Sequence, residues 1–463
     1  MALRVYNSLT KKTEDFVPQN PATISMYLCG PTVYDFVTIG NFRTYTLGDL
    51  VYRTLVFDGY KVRYIMNFTD VGHLTGDNLG DADTGTDRSE LAAEREGKSA
   101  RDIANYYIAD FEKASEKLNL LRPTKYTRAT DYIREQIDLV KSLERKGFTY
   151  RTSDGIYFDT SKFKKYGELS GYTPESVMEG ARVEPNPEKK HPTDFALWKY
   201  SPTDKTRWQE WDSPWGRGFP GWHIECSAMA MKELGETLDL HLGGEDLKMI
   251  HHQNEIAQSE CSTGKEYVKY WMHGAFLQVD GGRMGKSLGN AYTVADVEAK
   301  SFSPIALRYF YLTAHYRAKL NFTWEGLQGA QASLKKLQDL IGSYEESENG
   351  ELDARWYERF ADAINDDVNM PKALAVVWDM LKSDIPENNK VKTILKFDEV
   401  LGLKLENNVG YEVPQKVHDL AKTRLQYRRN GIWDKADLIR REIEELGFIV
   451  EDVGITYKLK RSH

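Results

Sequence analysis

The sequence has few cysteines, no long apolar run and no excess of positive charge. It contains only 3 cysteines in 463 residues, whereas a secreted chain held by disulfides would need more. The N-terminal segment MALRVYNSLTKKTEDF has no apolar core of the signal-peptide type, and no later run is long enough to span a membrane. We therefore expect a protein of the reducing cytosol that does not contact a membrane.

The charge balance and length place the chain in a broad class. Its formal net charge is -8 at pH 7, which gives no global sign of nucleic-acid binding, although a local basic face can bind phosphate on an acidic protein. With 41% hydrophobic and 29% charged residues, it is typical of a globular protein. A chain this long is expected to form two to four domains.

One stretch, residues 27–43 (YLCGPTVYDFVTIGNFR), joins a thiol to a predicted strand-to-helix connection. Apolar residues alternate with polar or small ones over residues 24–28, which predicts a strand that ends at Cys29. After Gly40 the apolar residues repeat about every 3.6 positions, which indicates a helix that ends near Gly59. Residues 61–68 then predict a second strand.

This strand, helix, strand order predicts an α/β fold with a parallel sheet of the Rossmann type. Such sheets bind nucleotides at the carboxyl ends of their strands, so phosphate is expected in the first connection, facing the helix N-terminus. The polar residues Asn67, Thr69 and Asp70 follow the second strand. They are expected either to line the same crevice or to form a simple turn.

The middle of the chain interrupts the parallel sheet. Alternating aromatic residues around a Ser-Asp-Gly turn predict a hairpin over residues 148–160. We therefore expect an inserted unit over about residues 121–205. The sheet is expected to resume with strands at 237–242 and 271–279, which flank a helix over about 249–261.

From residue 303 onward the pattern is helical. Apolar periodicity predicts helices over 305–311, 327–344, 354–364, 371–381 and 391–400. A segment from about Val413 then begins with a helix and ends in a strand-like stretch over 448–459. Its helix carries four basic residues, and either a nucleic-acid-binding face or an ordinary solvated surface accounts for them; they are Lys422, Arg424, Arg428 and Arg429.

Two cysteines and a helix bearing histidine suggest a metal. His251 and Glu255 are four residues apart and share one face of the predicted helix. Together with Cys29 and Cys226 they would supply ligands suited to zinc. The residues alone leave open that both cysteines are simply buried apolar side chains.

The remaining cysteine and two more histidines receive other assignments. Cys261 lies off the helical face of Glu255 and is expected to pack in the core. His223 and His252 are interpreted as core histidines or as partners of the ligands. A glycine-rich turn over residues 280–287 offers Arg283 and Lys286 for phosphate charge.

Six segments together carry a family resemblance, and they occur in the family's order. They are CGPTVYD with TIGN (29–41), PGWHIECSAM (220–229), HHQNEIAQSE (251–260), RMGKSLGN (283–290), ALRYFYLTAHYRAKLNF (306–322) and ADLIRREIEELGFIVED (436–452). In this order they resemble the HIGH-type signature, the zinc-bearing segments, the KMSKS loop and the tRNA-binding parts of class I cysteinyl-tRNA synthetases. The resemblance extends over essentially the whole chain.

The resemblance implies one zinc ion per chain, with Cys29, Cys226, His251 and Glu255 as ligands. In this family the thiolate of the substrate joins the metal. A thiolate binds zinc well whereas a serine hydroxyl is a poor ligand, so the metal can separate cysteine from serine without an editing site. Four protein ligands are otherwise typical of a closed structural site, so catalytic use implies a fifth ligand position or a weakly held Glu255.

Further roles follow from the same matches. Cysteine binding is implied for Gly30, Thr69, Trp222 and Asp246. ATP binding is implied for Thr38, Gly40, Asn41, Gly244, Arg283 and Lys286, and the catalytic set is Lys286, Thr38, Asn41 and Arg283. Lys286 and Arg283 would neutralise phosphate charge while the amino-acid carboxylate attacks the α-phosphate. Mg²⁺ is expected with ATP, and cysteine-accepting tRNA is the expected second substrate of a monomeric enzyme.

The sequence departs from the family pattern at a few positions. Thr38 stands for the first histidine of the signature, Asn41 for its last, and Arg283 for the first lysine of the loop. A threonine hydroxyl can donate to phosphate but cannot carry a positive charge, so we expect an active enzyme with altered ATP binding. Residues 71–84 also depart from the usual continuation, and nothing is assigned to them.

The resemblance implies a division of the chain and leaves two alternatives to tRNA charging. The expected parts are a Rossmann domain in two halves (1–120 and 206–280), an inserted connective subdomain (121–205), the KMSKS-type loop with a stem-contact region (281–340), a helical bundle (341–411) and a small C-terminal α/β domain that binds the anticodon (412–463). One alternative is a ligase that joins cysteine to an aminosugar, as in mycothiol synthesis. The other is an inactive paralogue that binds zinc or RNA.

Overall fold

The structure is a computed structural model that describes residues 2–75, 85–171, 186–202, 207–285, 288–344, 350–409, 413–454 and 456–461. In these ranges the strands are β1 (Arg4–Asn7), β2 (Lys12–Asp15), β3 (Ile24–Leu28), β4 (Val62–Phe68), β5 (Lys125–Arg128), β6 (Thr149–Arg151), β7 (Gly155–Phe158), β8 (Phe195–Tyr200), β9 (Gly218–Pro220), β10 (Leu238–Gly244), β11 (Val268–Gly274), β12 (Leu277–Val279), β13 (Gly282–Arg283), β14 (Leu320–Phe322), β15 (Phe448–Val453) and β16 (Thr456–Arg461).

The α-helices of the described ranges alternate with these strands in the first half of the chain and dominate the second. They are α1 (Ile39–Phe57), α2 (Arg88–Glu96), α3 (Ala100–Lys117), α4 (Ile133–Arg145), α5 (Trp222–Leu234), α6 (His251–Thr263), α7 (Val294–Ala299), α8 (Pro304–Leu312), α9 (Trp324–Gly342), α10 (Ala354–Ile364), α11 (Met370–Lys382), α12 (Glu387–Leu401), α13 (Gln415–Arg429) and α14 (Trp433–Glu445). Within the described residues, no helix combines the length and apolar character that crossing a membrane requires.

The central sheet of the described chain has five strands in the order β11-β10-β3-β4-β5, and every neighbouring pair is parallel. Its three interior strands β10, β3 and β4 are mostly buried, as expected of a sheet covered on both faces. Helix α1 lies close against it, because a Cβ added at Gly48 would come within 2.4 Å of Leu28 Cδ2. The predicted α/β fold with a parallel sheet is confirmed.

Two sequence predictions about this sheet are wrong. The chain does not leave the sheet at residue 121, because Lys125–Arg128 pairs in parallel with β4 as an edge strand. The predicted strand 271–279 is in fact two strands. Residues 268–274 belong to the central sheet, whereas 277–279 pair with β13 and β14 in a separate sheet of three strands.

The insertion after β5 contains an antiparallel sheet in the order β6-β7-β8-β9. The predicted hairpin over 148–160 is confirmed, since Tyr150 pairs with Tyr157 across its turn. Strand β9 leads directly into α5, which packs on α6 and α4. The insertion therefore ends beside the helices that carry the candidate metal ligands.

The C-terminal part is helical and then ends in a small α/β unit. The five predicted helices of residues 303–400 correspond to α8 to α12. The last unit has an apolar core of its own, while its strand-like stretch turns at Gly454 to form the antiparallel hairpin of β15 and β16. The core residues of this unit are Val417, Ala421, Ile443, Phe448 and Val450.

Candidate active site

Four buried side chains from distant parts of the sequence meet at the carboxyl end of β3. Cys29 directly follows β3, Cys226 lies in the second turn of α5, and His251 and Glu255 lie one turn apart at the start of α6. One donor atom from each of these residues lies within 4.8 Å of all the others. The structure therefore brings together the four residues that the resemblance implied as metal ligands.

The donor atoms of this cluster lie close enough to contact one another. The Sγ atoms of Cys29 and Cys226 are 3.8 Å apart. His251 Nε2 lies 3.4 Å from Cys226 Sγ and 3.2 Å from Glu255 Oε1. The Cys29 thiol donates to Glu255 Oε1 at 3.7 Å.

A second set of donors shares two members with the first. Cys29 and Glu255 also lie within 4.8 Å of His241 and His252. His241 Nε2 is 3.0 Å from Glu255 Oε2, and the Tyr267 hydroxyl donates to the same oxygen at 3.1 Å. His252 Nε2 is 3.4 Å from Cys29 Sγ. Sequence reasoning treated His252 as a core residue or a partner of the ligands, and it missed His241 and Tyr267 entirely.

The cluster histidines are themselves held by further side chains. The Nδ1 atoms of His223 and His251 are 3.0 Å apart. His252 Nδ1 lies 2.8 Å from His273 Nε2, and His273 Nδ1 lies 2.8 Å from the Ser8 hydroxyl. These contacts orient both imidazoles that face the thiols. The signal that could have found His241 and His273 is their position, since each is a polar side chain in a strand whose residues are otherwise mostly apolar.

Charge is concentrated at this buried point. The hydrogen bond from Cys29 and the nearby His251 lower the pKa of Cys226 to about 6 in spite of burial. Burial disfavours a charged His251, but Cys226 and Glu255 outweigh it and raise the pKa of His251 to about 10. Burial likewise opposes ionisation of Glu255, but His241 and His251 lower its pKa to about 2. The directions of these three pKa shifts favour a thiolate, an imidazolium and a carboxylate in the cluster at neutral pH.

This donor set fits a soft divalent cation. Two sulfurs, an imidazole nitrogen and a carboxylate oxygen are ligand types that zinc accepts. Burial excludes competing water from all four. Cys261 does not belong to the cluster, because it packs among apolar residues on the far side of α6.

Three of the residues expected to bind ATP, Thr38, Gly40 and Asn41, lie at the N-terminus of α1. Thr38 caps this helix and forms a capping box with Asn41. Ile39 N donates to Tyr292 O at 2.8 Å, and a Cβ added at Gly40 would lie 3.1 Å from Met284 Sδ. The KMSKS-type loop therefore lies against the start of α1. Its Arg283 is exposed on β13, and its Lys286 falls outside the described residues.

Three of the residues expected to bind cysteine, Gly30, Thr69 and Trp222, lie near the metal cluster. A Cβ at Gly30 would lie 1.8 Å from Asn67 O, so only glycine allows the backbone after Cys29 to approach β4. The Asn67 side-chain amide accepts from Gly30 N and donates to the Thr69 hydroxyl at 3.2 Å, so it links this turn to Thr69. Trp222 begins α5, and its ring lies 4.5 Å from the His251 ring, measured between centroids.

The last two of the predicted contacts lie where β10 ends. Gly244 is the final residue of this strand, and a Cβ there would come within 2.2 Å of Asp246 Oδ1. The Asp246 carboxylate therefore folds back over the strand end. Gly244 is parallel-paired with Gly274 of β11, and a Cβ at either glycine would lie 3.6 Å from Thr44 Oγ1, so the two glycines let α1 pack close to the sheet.

Comparison with known proteins identifies the family. The profile of the tRNA synthetases class I (C) catalytic domain matches residues 15–332. Cysteine--tRNA ligase 1 of Burkholderia lata is 46% identical over 455 residues, which cover 98% of this chain and 95% of that protein. The cysteine--tRNA ligases of Treponema denticola and Clostridioides difficile are each 38% identical and cover 98% and 99% of this chain, and 98% and 100% of their own lengths.

Solved structures show the same fold at greater distance. The methionyl-tRNA synthetase of Mycobacterium tuberculosis bound by methionyl-adenylate superposes with a TM-score of 0.55 at 16% identity, covering 84% of this chain and 92% of that one. A second structure of that synthetase in complex with methionyl-adenylate also has a TM-score of 0.55 and covers 86% and 94% of the two chains. At this identity the likeness concerns the fold alone.

Proposed function

The chain belongs to the class I cysteine--tRNA ligases and charges tRNA with cysteine at the expense of ATP, and from this premise we propose that zinc selects the amino acid. The proposed ligands are Cys29, Cys226, His251 and Glu255. The observation that carries the proposal is that these four buried donors lie within 4.8 Å of one another. Relatives that match over 98% of the chain favour neither the aminosugar ligase nor the inactive paralogue.

The first donor set is preferred to the second for a chemical reason. It contains both thiols, whereas the set with His241 and His252 contains only Cys29. Sulfur ligands favour zinc over the harder divalent cations. His241 and His252 are then assigned to holding Glu255 and Cys29 in place, as partners of metal ligands commonly do.

The proposed discrimination is chemical. Bound to these donors, zinc would accept the thiolate of cysteine as a further ligand far more readily than the hydroxyl of serine. Shape alone separates two groups of such similar size poorly. The chain's own residues then hold the rest of the amino acid. We assign Thr69 and Trp222 to the walls of the cysteine pocket, and Asp246 to binding the substrate ammonium. Gly30 lets the backbone approach the substrate closely.

The activation step requires positioning and charge. We propose that Thr38, Gly40, Asn41 and Gly244 bind ATP at the start of α1, with Mg²⁺ on its phosphates. The cysteine carboxylate attacks the α-phosphate, the bond to the bridging oxygen breaks, and pyrophosphate leaves. Arg283 and Lys286 stabilise the negative charge on the leaving group. The cysteinyl group then passes to a ribose hydroxyl at the 3' end of tRNA.

We propose that the C-terminal parts hold the tRNA of a monomeric, cytosolic enzyme. The proposed division follows the sequence analysis, with a stem-contact region at 281–340, a helical bundle at 341–411 and an anticodon-binding domain from 412. Because β5 belongs to the central sheet and β9 to the antiparallel sheet, we propose that the insertion spans about residues 129–220. Three buried free thiols agree with a reducing compartment.

The test compares two cysteine variants of the full-length protein. Unchelated wild type should contain about one zinc per chain, and removal of the metal should abolish aminoacylation of cysteine-accepting tRNA. Cys226→Ser should lose the metal and the preference for cysteine over serine. Cys261→Ser is the matched control, because it removes a buried thiol from α6 away from the cluster. It should keep both zinc and selectivity.

Two results would refute the zinc proposal. One is purified protein without a stoichiometric metal ion that still prefers cysteine. The other is Cys226→Ser with unchanged selectivity in cysteine-dependent and serine-dependent pyrophosphate exchange. Neither result would question the assignment to the family, which depends on the comparisons.

A further inference from the structure

The segment that follows Asp70 has no role in the family resemblance. It contributes an aromatic ring next to the proposed cysteine pocket. His73 lies in this segment and is only 8% exposed. Its imidazole is stacked on the indole of Trp222, with 4.8 Å between ring centroids and 12° between planes. Trp222 is the residue to which we assigned a wall of the cysteine pocket.

The position of His73 is determined from several sides. The Tyr34 ring meets it edge-on, at 5.5 Å and 89°, and Arg88 N donates to the His73 carbonyl oxygen at 2.9 Å. The preceding Gly72 has a φ of +73°, and a Cβ there would lie 2.8 Å from Pro220 O. The segment is therefore pressed against the strand that leads into Trp222.

A buried ion pair ties this segment to the insertion. Asp87 is fully buried and accepts from Gly72 N at 3.1 Å. Its Oδ2 also accepts from Arg207 Nη2 at 3.0 Å. The Arg207 guanidinium lies 3.7 Å above the Phe219 ring, on the strand before Trp222. Charge, packing and backbone hydrogen bonds thus hold the two segments together on either side of the stacked rings.

Trp222 connects His73 to the metal cluster. Its ring centroid is 4.8 Å from that of His73 and 4.5 Å from that of His251. An indole held between these neighbours has little freedom to rotate. Its orientation beside His251 is therefore set before the substrate enters, which lowers the ordering cost of binding.

We propose that His73 is a positioning residue for cysteine, which acts by stacking on Trp222 and fixing the pocket wall beside the metal cluster. The inference depends on the proposed function, because it assumes that Trp222 borders the bound amino acid. His73 acts through Trp222, so its effect belongs to cysteine binding and not to ATP binding or metal retention.

The test uses cysteine-dependent ATP–pyrophosphate exchange with the zinc-loaded full-length enzyme. His73→Leu keeps much of the side-chain volume and removes the stack. It should raise the KM for cysteine about fivefold, with kcat and the KM for ATP within about twofold of wild type. His73→Phe restores a stacking ring and should return the KM for cysteine to within about twofold of wild type. Zinc content should be the same in all three proteins.

A stacked histidine elsewhere provides the matched control. His315 stacks on Tyr316 at 4.8 Å between ring centroids, far along the chain from the cluster. His315→Leu should leave the KM for cysteine unchanged. If His73→Leu does not fold, Tyr34→Leu removes the edge-on contact to His73 and should shift the KM for cysteine in the same direction by a smaller factor.

Three outcomes would overturn the inference. They are a wild-type KM for cysteine in folded His73→Leu, a Phe variant as impaired as the Leu variant, and loss of zinc from His73→Leu. In each case wild type remains active in cysteine-dependent exchange, so the proposed function survives. Absence of that exchange in zinc-loaded wild type would overturn the proposed function itself and this inference with it.

Discussion

Thr38 and Asn41 hydrogen-bond to each other at the start of α1. The Thr38 hydroxyl donates to Asn41 Oδ1 at 2.7 Å, and Asn41 N donates back to Thr38 Oγ1 at 3.3 Å. These are the two positions at which the HIGH-type signature departs from histidine. The pair forms a capping box. Both residues that depart from the family signature therefore stabilise the helix N-terminus, where we propose that ATP binds.

Replacing Thr38 by valine should weaken both the helix cap and ATP binding. Loss of the cap is expected to cost about 1 kcal/mol of unfolding free energy, while Thr38→Ser should retain it. The KM for ATP should rise severalfold because the helix N-terminus loses its order, with the KM for cysteine unchanged. Steady-state pyrophosphate exchange and chemical denaturation measure the two effects.

A second threonine cap separates stability from ATP binding. The Thr323 hydroxyl accepts from Gly326 N at 2.9 Å and caps α9 by this single bond. Thr323→Val should lower the unfolding free energy by a similar amount and leave the KM for ATP unchanged. Equal effects of both variants on the KM for ATP would argue against a role for Thr38 in nucleotide binding.

Arg308 joins the signature helix to the C-terminal helices and should matter for stability. Its Nη2 donates to Asp49 Oδ2 at 2.6 Å, and its Nε donates to Leu401 O at 2.6 Å. Of the two ion pairs of the buried Asp49 among the described residues, Arg308→Met would keep the one with Arg53 and remove the other, at an expected cost of about 3 kcal/mol. Thermal and urea unfolding would detect a change of this size.

A solvent-exposed pair provides the comparison for Arg308. Arg359 and Asp379 are 3.5 Å apart with about half of each side chain exposed. Arg359→Met should change the unfolding free energy by less than about 0.5 kcal/mol. A similarly small effect of Arg308→Met would show that the buried pair does not hold the helices together.

Asp398 should make stability depend on pH. Burial raises its pKa from 3.8 to about 6, although Leu405 N and Leu403 N donate to its carboxylate. Because the folded state binds this proton more tightly, the stabilisation is fully present below the unfolded pKa and is lost as the pH rises through the folded pKa. From about pH 5 to about pH 7.5 the loss should be about 1 kcal/mol.

The variant Asp398→Asn tests this dependence. It keeps a carbonyl oxygen to accept one backbone N–H but cannot titrate. It should be less stable than wild type, and the difference in unfolding free energy should narrow by about 1 kcal/mol as the pH rises over the same interval. A difference that is constant with pH would mean that Asp398 titrates alike in both states.

We expect the basic residues of helix α13 to have two different roles, because one stabilises the fold and others bind tRNA. Arg424 is 2% exposed and donates to Asp452 at 2.7 and 3.1 Å, whereas Lys422 and Arg429 are exposed. Arg424→Met should unfold the C-terminal unit at lower temperature. Lys422→Gln and Arg429→Gln should raise the KM for tRNA about threefold each at unchanged stability.

The salt dependence of aminoacylation distinguishes the two kinds of cation. If the exposed pair contacts tRNA phosphates, its removal should reduce the slope of log KM for tRNA against log salt. An unchanged slope in Lys422→Gln and Arg429→Gln would place the tRNA on another surface. The KM for cysteine serves as the internal control in each variant.

The local sequence pattern predicted most of the helices and strands, but it did not predict how all of the strands pair. The helices of residues 303–400 were predictable because each buries one face and repeats its apolar residues at the helical period. Strand β5 was missed because Lys125–Arg128 has little apolar pattern, and its place depends on hydrogen bonds to β4 at the edge of the sheet. The break between 274 and 277 was missed because a continuous apolar stretch does not reveal a change of sheet.

The sequence by itself determined the family, the parallel-sheet class and the four residues offered as metal ligands, because these depend on motifs that are contiguous or fall on one helix. Only the tertiary structure decided which side chains surround those four. His241 and His73 lie in segments with no motif. His241 contacts Glu255 from strand β10, and His73 stacks on Trp222, which contacts His251. Contacts between residues so far apart along the chain arise from packing, which local sequence pattern does not encode.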